Sequence, residues 1–316
     1  EILAAALETL ERQTLRPDVV VVDNASTDGA ADMVAERFPW VRLVRNESNE
    51  GFGRAVNRGA AELDDDTDVV IVSNNDMLFD EGFTERICAP FADPSVGMVA
   101  GVLTQLRAPA RIDTAGIELD VSMSSWDYLQ DQPTSVLTDA SPAPAVPCGG
   151  AAGYRMDLYR RVGGFDETLF AYWEDVDLGL RIRATGAGCA FAPFARAEHH
   201  HGATLGATSP FQRRLDAFGR GYLLAKWRVR ESSLAARLRV LALDWPVLLV
   251  HLVVRREIAP IRERRRGIRA GRAAHTGEHA PLELATIGFG EAVRRRIAFV
   301  RGRATGEIPE HFKAAG

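Results

Sequence analysis

Three polar stations in the sequence carry residue types that could do chemistry. Asn74-Asn75-Asp76 follows the apolar run Val69-Val70-Ile71-Val72 directly. Asn and Asp are common turn residues, so a plain strand-end turn accounts for the trio taken alone. The same residues suit a cation bridged to a diphosphate, because Mg²⁺ and Mn²⁺ prefer oxygen ligands and often bind through one or two carboxylates plus substrate phosphates. Glu174-Asp175 is the second station. Acids in the first turn of a helix complement its dipole and need no other purpose, and Asp177 with Arg181 reads as a surface pair four residues apart. Phe170-Ala171-Tyr172-Trp173 stands immediately before them, however, and an acid on a rigid helix start walled by aromatics is suited to act as a general base toward a hydroxyl. His199-His200-His201 is the third. Side chains alternate along a strand, so His199 and His201 share a face. They read either as surface polarity or as one member completing a metal site; a zinc centre made by protein ligands alone lacks its companion spacings. A fourth segment, Asn49-Glu50-Gly51-Phe52-Gly53 through Gly59, places its glycines at the wrong offsets for the dinucleotide fingerprint. Glycines at a helix start still let backbone approach a nucleotide closely.

These residues need elements to hold them. Val19-Val20-Val21-Val22 ends in Asp23 and reads as a strand buried on both faces. A turn cluster through Gly29 leads to a helix from Ala30 to Phe38, a strand at Val41–Val44, a helix from Gly51 to Leu63, and strands at Val69–Val72 and Val96–Leu103. Strands alternating with short helices imply βαβ units and a mostly parallel sheet. Ligands of such sheets bind beyond the carboxyl ends of the strands, where Asp23 and Asn74–Asp76 stand. Residues 104–147 are rich in Pro, Ser and Asp and read as a flap or hairpin at Ile112–Val121 followed by a loop. Gly149–Gly153 then precedes a helix at Met156–Val162, Tyr172 to Arg181 reads as a helix, and Ala190–His201 as a strand. Residues 1–209 are thus expected to form one domain and residues 210–316 a helical C-terminal region.

Taken together, the motifs resemble the family-2 inverting glycosyltransferases of the GT-A fold, especially their rhamnosyltransferase-like branch. The resemblance runs from residue 1 to about 206. It rests on Val20 to Gly29, Asn49 to Gly59, Asn74-Asn75-Asp76, Gly163-Gly164-Phe165-Asp166-Glu167 and Trp173-Glu174-Asp175-Val176-Asp177-Leu178. It implies an α/β fold with a nucleotide-binding sheet flanked by helices. By that resemblance Asp23, Ser26, Asn49, Gly51, Gly53 and Asn74 line the donor nucleotide. Asp76 matches the last acid of a D-x-D metal motif whose first acid is here Asn74, and His199 or His201 stands near the metal, Mn²⁺ or Mg²⁺. Asp175 matches the base, with Trp173 and Glu174 on the acceptor. The implied reaction passes a sugar, rhamnose as a first guess, from a nucleoside-diphosphate-sugar to a hydroxyl of a glycan or lipid-linked acceptor in a single inverting displacement, in cell-wall or polysaccharide synthesis. A nucleotide-sugar-binding module without turnover and a sugar-1-phosphate nucleotidyltransferase are the alternatives. The chain begins without Met and inside an apparent helix, where the family has one further strand upstream, so a missing start is expected.

Composition is that of a globular protein, and the odd, widely spaced Cys88, Cys148 and Cys189 argue against a disulfide framework. Charge divides sharply. Residues 1–209 carry 16 Arg and 33 acids, a net of −17, whereas residues 210–316 carry 22 basic residues and 10 acids, a net of +12. The segment Leu238–Val254 is apolar except for Arg239, Asp244 and His251, but only fifteen residues separate Arg239 from Arg255, short of the roughly 20 that span a bilayer. The segment therefore reads as an interfacial or core-packed helix, and Arg255-Arg256, Arg262 and Arg264-Arg265-Arg266 behind it read equally as a solvated helix face or as contact with an anionic membrane surface, on the cytoplasmic side of the cell membrane. Nucleic acid is not expected, because aromatic residues are scarce among these arginines.

Overall fold

Apolar runs become strands joined by helices in the computed structural model, which describes residues 1–200, 209–275, 277 and 279–305. Helix α1 (Ile2–Glu11) leads to β1 (Val20–Asp23), α2 (Ala30–Arg37), β2 (Arg42–Arg45), α3 (Phe52–Ala60) and β3 (Val69–Ser73). β1 and β2 pair in parallel, and α2 supplies the crossover that a parallel pair needs. Leu7, Val34 and Phe38 of the first two helices and their flanks pack with Val21 and Leu43 on one face. α3 comes close to Val20 and Val22 at Gly59. β1 is nonetheless half-buried throughout rather than enclosed as its sequence predicts. Helices cover it, but among the described residues only β2 pairs with it, and solvent reaches the other edge.

The next strands form one six-stranded sheet. They are β3, β4 (Met77–Phe79), β5 (Val96–Gln105), β6 (Ala108–Thr114), β9 (Ala151–Arg155) and β10 (Gly188–His199), ordered β3-β9-β5-β10-β4 with β6 also on β5. β9 runs antiparallel to β3 and β5, whereas β5 and β10 are parallel; β4 and β6 run against their neighbours. β3, β5 and β10 therefore point the same way, so residues following β3 and β10 leave from one end of the sheet. Met77, Phe79, Val99 and Leu103 pack there with Phe83 and Ile87 of α4 (Phe83–Cys88).

Departures from the sequence reading have local causes. Gly149–Gly153 reads in the sequence only as the lead-in to a helix, yet Ala151–Arg155 is a central strand. Its small residues are required because the Phe91 ring lies over it: a side chain at Gly153 would come 3.1 Å from that ring. In place of the expected hairpin at Ile112–Val121, β6 ends at Thr114, and β7 (Ile117–Leu119) pairs with β8 (Ser125–Asp127). After α5 (Met156–Arg161), the expected Tyr172 helix starts two residues late, as α6 (Glu174–Ala184). Asp177 and Arg181 form not a surface pair but a buried one at 2.8 Å, with Arg181 also donating to the Val162 carbonyl. The cysteines are free thiols.

The chain divides into two units: residues 1–117 with 127–200, and Glu118–Trp126 with the described residues from 209 onward. The second unit is helical, with α7 (Pro210–Lys226), α8 (Val229–Ser232), α9 (Leu234–Leu249), α10 (Ala259–Ala273) and α11 (Phe289–Thr305). α10 lies against α7 at backbone distance, since a side chain at Gly267 would collide with the Phe218 carbonyl oxygen. Arg220 of α7 is buried, donates to the Ser122 and Met123 carbonyls, and faces Asp244. No helix among the described residues is long and apolar enough to cross a membrane.

Candidate active site

At the end of β1 the Asp23 carboxylate accepts a hydrogen bond from the Ser26 N–H at 3.2 Å. Asn24 then ties this loop to the segment before α3. Its Nδ2 donates to Asn49 Oδ1 (3.0 Å) and to the Gly51 carbonyl (3.2 Å), and its Oδ1 accepts from the Glu50 N–H (3.0 Å) and Asn46 Nδ2 (2.9 Å). Short amides suit this task because each offers both donors and an acceptor. Asp23, Ser26, Asn49 and Gly51 thereby share one wall, and Gly53 is buried behind it, where a side chain would come 3.0 Å from Phe165 Cβ. Gly51 adopts φ +88°, and a side chain there would meet the Phe170 carbonyl at 2.5 Å; the Phe52 N–H donates to that oxygen at 2.7 Å. Asn57 clamps the same loop further back, donating to the Phe165 carbonyl (2.9 Å) and accepting from the Phe165 N–H (2.8 Å) and the Tyr159 hydroxyl (2.7 Å).

That clamped loop delivers α6. Tyr172 and Trp173 both take left-handed backbone, φ 69° and 76°, a conformation that costs bulky residues on the order of 1–3 kcal/mol each and gathers at functional sites. The turn sets Glu174 and Asp175 at the helix start. Asp175 Oδ1 accepts from the Val176 N–H at 2.8 Å and Oδ2 from the Gly149 N–H at 3.3 Å. Burial pushes the Asp175 carboxyl above its ordinary range, against these hydrogen bonds. Glu174 is 8% exposed. Burial, and then the Asp175 charge, raise it to about 8, and its Oε2 has no hydrogen-bond partner among the described residues.

Asp76 lies buried after β3. The His200 N–H donates to its carbonyl at 2.9 Å, and His199 Nε2 stands 3.6 Å from Asp76 Oδ1. The other ring nitrogen of His199, Nδ1, is 2.9 Å from Asp113 Oδ2. A proton held on Nδ1 by a carboxylate leaves Nε2 able to act as a ligand. Among the described residues no group of three or more His, Cys, Asp or Glu side chains is arranged to hold a metal. The Asp76–His199 pair matches cations that complete their shell with phosphate and water. His201 lies outside the described residues.

Gly149 and Gly150 connect the two carboxylate stations. A side chain at Gly149 would lie 3.8 Å from Asp175 Cβ, and one at Gly150 would lie 3.6 Å from Asn74 Nδ2 and 2.9 Å from Met77 Cε. Consecutive Cα atoms are about 3.8 Å apart, so Asn74 and Asp175 meet across one dipeptide. The Cys148 thiol beside them is pushed well up by burial, and then by the negative charges of Asp175, Asp127 and Asp113. Asp113 is the site residue that sequence reasoning missed. It lies in the Pro-rich stretch with no pattern of its own, and only the pairing of β6 with β5 brings it to His199.

The sequence profile described as Glycosyl transferase family 2 matches residues 1–163. The chain is 30% identical over 221 residues to the N-acetylglucosaminyl-diphospho-decaprenol L-rhamnosyltransferase of Mycobacterium tuberculosis, covering 63% of this chain and 72% of that protein. Its fold is similar to that of mannosyltransferase PcManGT from Pyrobaculum calidifontis, solved with GDP-Man and Mn²⁺ (TM-score 0.55, 20% identity, 96% of this chain and 82% of that one). It is similar also to GalNAc-T7, solved with UDP, GalNAc and Mn²⁺ (TM-score 0.51, 15% identity, 75% and 52%).

Proposed function

The chain belongs to glycosyl transferase family 2 and is a glycosyltransferase, and on that premise we propose that it transfers a sugar, rhamnose in the first instance, from a nucleoside-diphosphate donor to a hydroxyl of a lipid-linked or glycan acceptor with inversion. The mycobacterial relative, a rhamnosyltransferase named for a decaprenol-linked acceptor, supports both halves of that reading. Such an acceptor puts the reaction at the cytoplasmic face of the cell membrane, in polysaccharide synthesis.

The wall made by Asp23, Ser26, Asn49 and Gly51, with Gly53 letting α3 pack closely behind it, holds the nucleoside, and Asn74 reaches the donor from the sheet end. Asp76 and His199 would hold Mn²⁺ or Mg²⁺, which when bound offsets the charge of the departing diphosphate. Asp113 fixes the His199 ring. On the acceptor side, Trp173 and Glu174 border Asp175. The acceptor oxygen bonds to the anomeric carbon as the bond to diphosphate breaks, and its proton passes to Asp175 Oδ2, whose hydrogen bond from Gly149 is the longer of the carboxylate's two. A raised carboxyl is a better base near neutral pH than an ordinary one. Glu174, raised to about 8, stays mostly protonated there, so the pair carries a single negative charge.

The observation that carries this reading is the Gly149–Gly150 bridge, which sets Asp175 against the sheet end that bears Asn74 and Asp76. Asp175→Asn is expected to keep nucleotide binding and lower transfer by about 10²–10⁴-fold, the usual worth of a general base. Unchanged turnover in that variant would refute the assignment.

A further inference from the structure

Helix α9 is apolar on two opposite sides. Its inner side buries Ala236, Val240 and Leu243, with Asp244 held there by Arg220 and Arg264. Ser233 caps its start, accepting from the Ala236 N–H at 3.0 Å. On the outer side Leu234, Leu238, Leu241, Trp245 and Leu249 are all exposed, Leu234 by 71%, Trp245 by 60% and Leu238 by 57%. At 100° per residue these five fall within an arc of about 80°, opposite Val240 and Leu243. The exposed apolar surface continues beyond the helix through Leu252, Val253, Val254 and Ile258. A soluble chain rarely leaves so long a stripe in water unless something covers it.

The charges around the stripe indicate what covers it. Arg237 is exposed beside it, and Arg256 is exposed between Val254 and Ile258. The outer side of α10 adds exposed Arg262, Arg265, Arg269 and Arg272, while its Gly267 and Gly271 face α7. An apolar stripe with arginines at its rim is the pattern of a helix lying in the headgroup–acyl boundary, where each basic residue near an anionic surface strengthens binding. A second copy of the chain fits less well, because pairing two such stripes would bring like-charged rims together within a region of net +12.

We infer that the outer stripe of α9, from Leu234 to Leu249 and on to Ile258, is the surface by which the protein lies flat on an anionic lipid bilayer. This deepens the proposed function and rests on its reading of a lipid-linked acceptor at a membrane.

The test is flotation of the full chain with vesicles of phosphatidylcholine alone or mixed with phosphatidylglycerol, for the parent and for a Leu238→Glu/Trp245→Glu double variant. The parent is expected to float with the anionic vesicles, less so at high salt, and the double variant to lose at least tenfold in partitioning at an unchanged melting temperature. Trp245→Phe should keep binding and lose the blue shift in emission that vesicles produce in the parent. Equal partitioning of parent and double variant, or no parent binding to anionic vesicles, would overturn the inference. So would a parent dimer in sedimentation equilibrium that the double variant lacks, since the stripe would then belong to a second copy. Binding of deoxythymidine diphosphate with Mn²⁺, measured without vesicles, separates the two readings. Its absence in a chain that still floats would count against the proposed function and leave the membrane surface standing.

Discussion

Glu174 and Asp244 are buried almost equally, 8% and 5% exposed, yet their surroundings drive them in opposite directions. Asp244 is pushed up by burial and pulled back further by the guanidinium groups of Arg220, Arg264 and Arg296, so its carboxyl ends below the ordinary range. Glu174 is raised to about 8 by burial and by the neighbouring Asp175 charge. The helical unit neutralises the acid it buries, whereas the sheet unit sets one buried acid against another. Like charges placed together cost stability, and such arrangements gather where chemistry needs them. The contrast separates an acid held by counter-charges from a pair of acids that burial sets against each other.

Breaking the compensated cluster gives the largest expected effect. Asp244→Asn leaves Arg220 and Arg264 buried without their counter-charge, and about 3–5 kcal/mol of stability should disappear in chemical denaturation. Glu174→Gln, at a position of equal burial, should lose none. Equal losses in the two variants would dissolve the contrast.

Gly51→Ala comes next. Both its φ of +88° and its 2.5 Å approach to the Phe170 carbonyl oppose a side chain. A loss of roughly 1–3 kcal/mol is expected, together with weaker nucleotide binding in calorimetry. Nucleotide affinity equal to the parent's would remove Gly51 from the nucleoside wall.

The pH dependence of stability has a definite sign. Glu174 has a higher pKa folded than unfolded, so the native state holds more protons between its unfolded value and about 8. Its contribution is fully present below the unfolded pKa and is lost as pH rises through the folded one, with a slope of at most about 1.4 kcal/mol per pH unit. Denaturation midpoints taken across this window should fall in the parent and flatten in Glu174→Gln. A parent slope that Glu174→Gln leaves unchanged would place the titrating group elsewhere.

The smallest effect belongs to an exposed pair. Arg54 and Glu167 lie 3.0 Å apart with both side chains about half exposed. Arg54→Ala should change stability by about 1 kcal/mol or less, measured by thermal melting. A larger loss would mean that the α3 clamp depends on charge as well as on Asn57.

Much of this frame was legible in the sequence. β-Branched runs mark β1 and β3 and an apolar run marks β5, and Asp23 and Asn74 stand at the carboxyl ends of the first two. β9 was not legible, since Ala151-Ala152-Gly153 has the small residues of a crowded centre and not the branched ones of an ordinary strand. The left-handed pair Tyr172-Trp173 could not be read either, because bulky residues give no local signal for a left-handed backbone. Asp113 and the membership of Glu118–Trp126 in the helical unit depend on long-range pairing, which leaves no periodicity behind.

In the proposed function two carboxylates have separate tasks, Asp76 toward a cation and Asp175 toward a proton. Calorimetry of deoxythymidine diphosphate binding with and without Mn²⁺, in the parent, Asp76→Asn and Asp175→Asn, tests this most directly. The predicted result is that Asp76→Asn abolishes the gain in affinity due to Mn²⁺ while Asp175→Asn retains it in full. Retention of that gain in Asp76→Asn, or its equal loss in both variants, would contradict the division of labour.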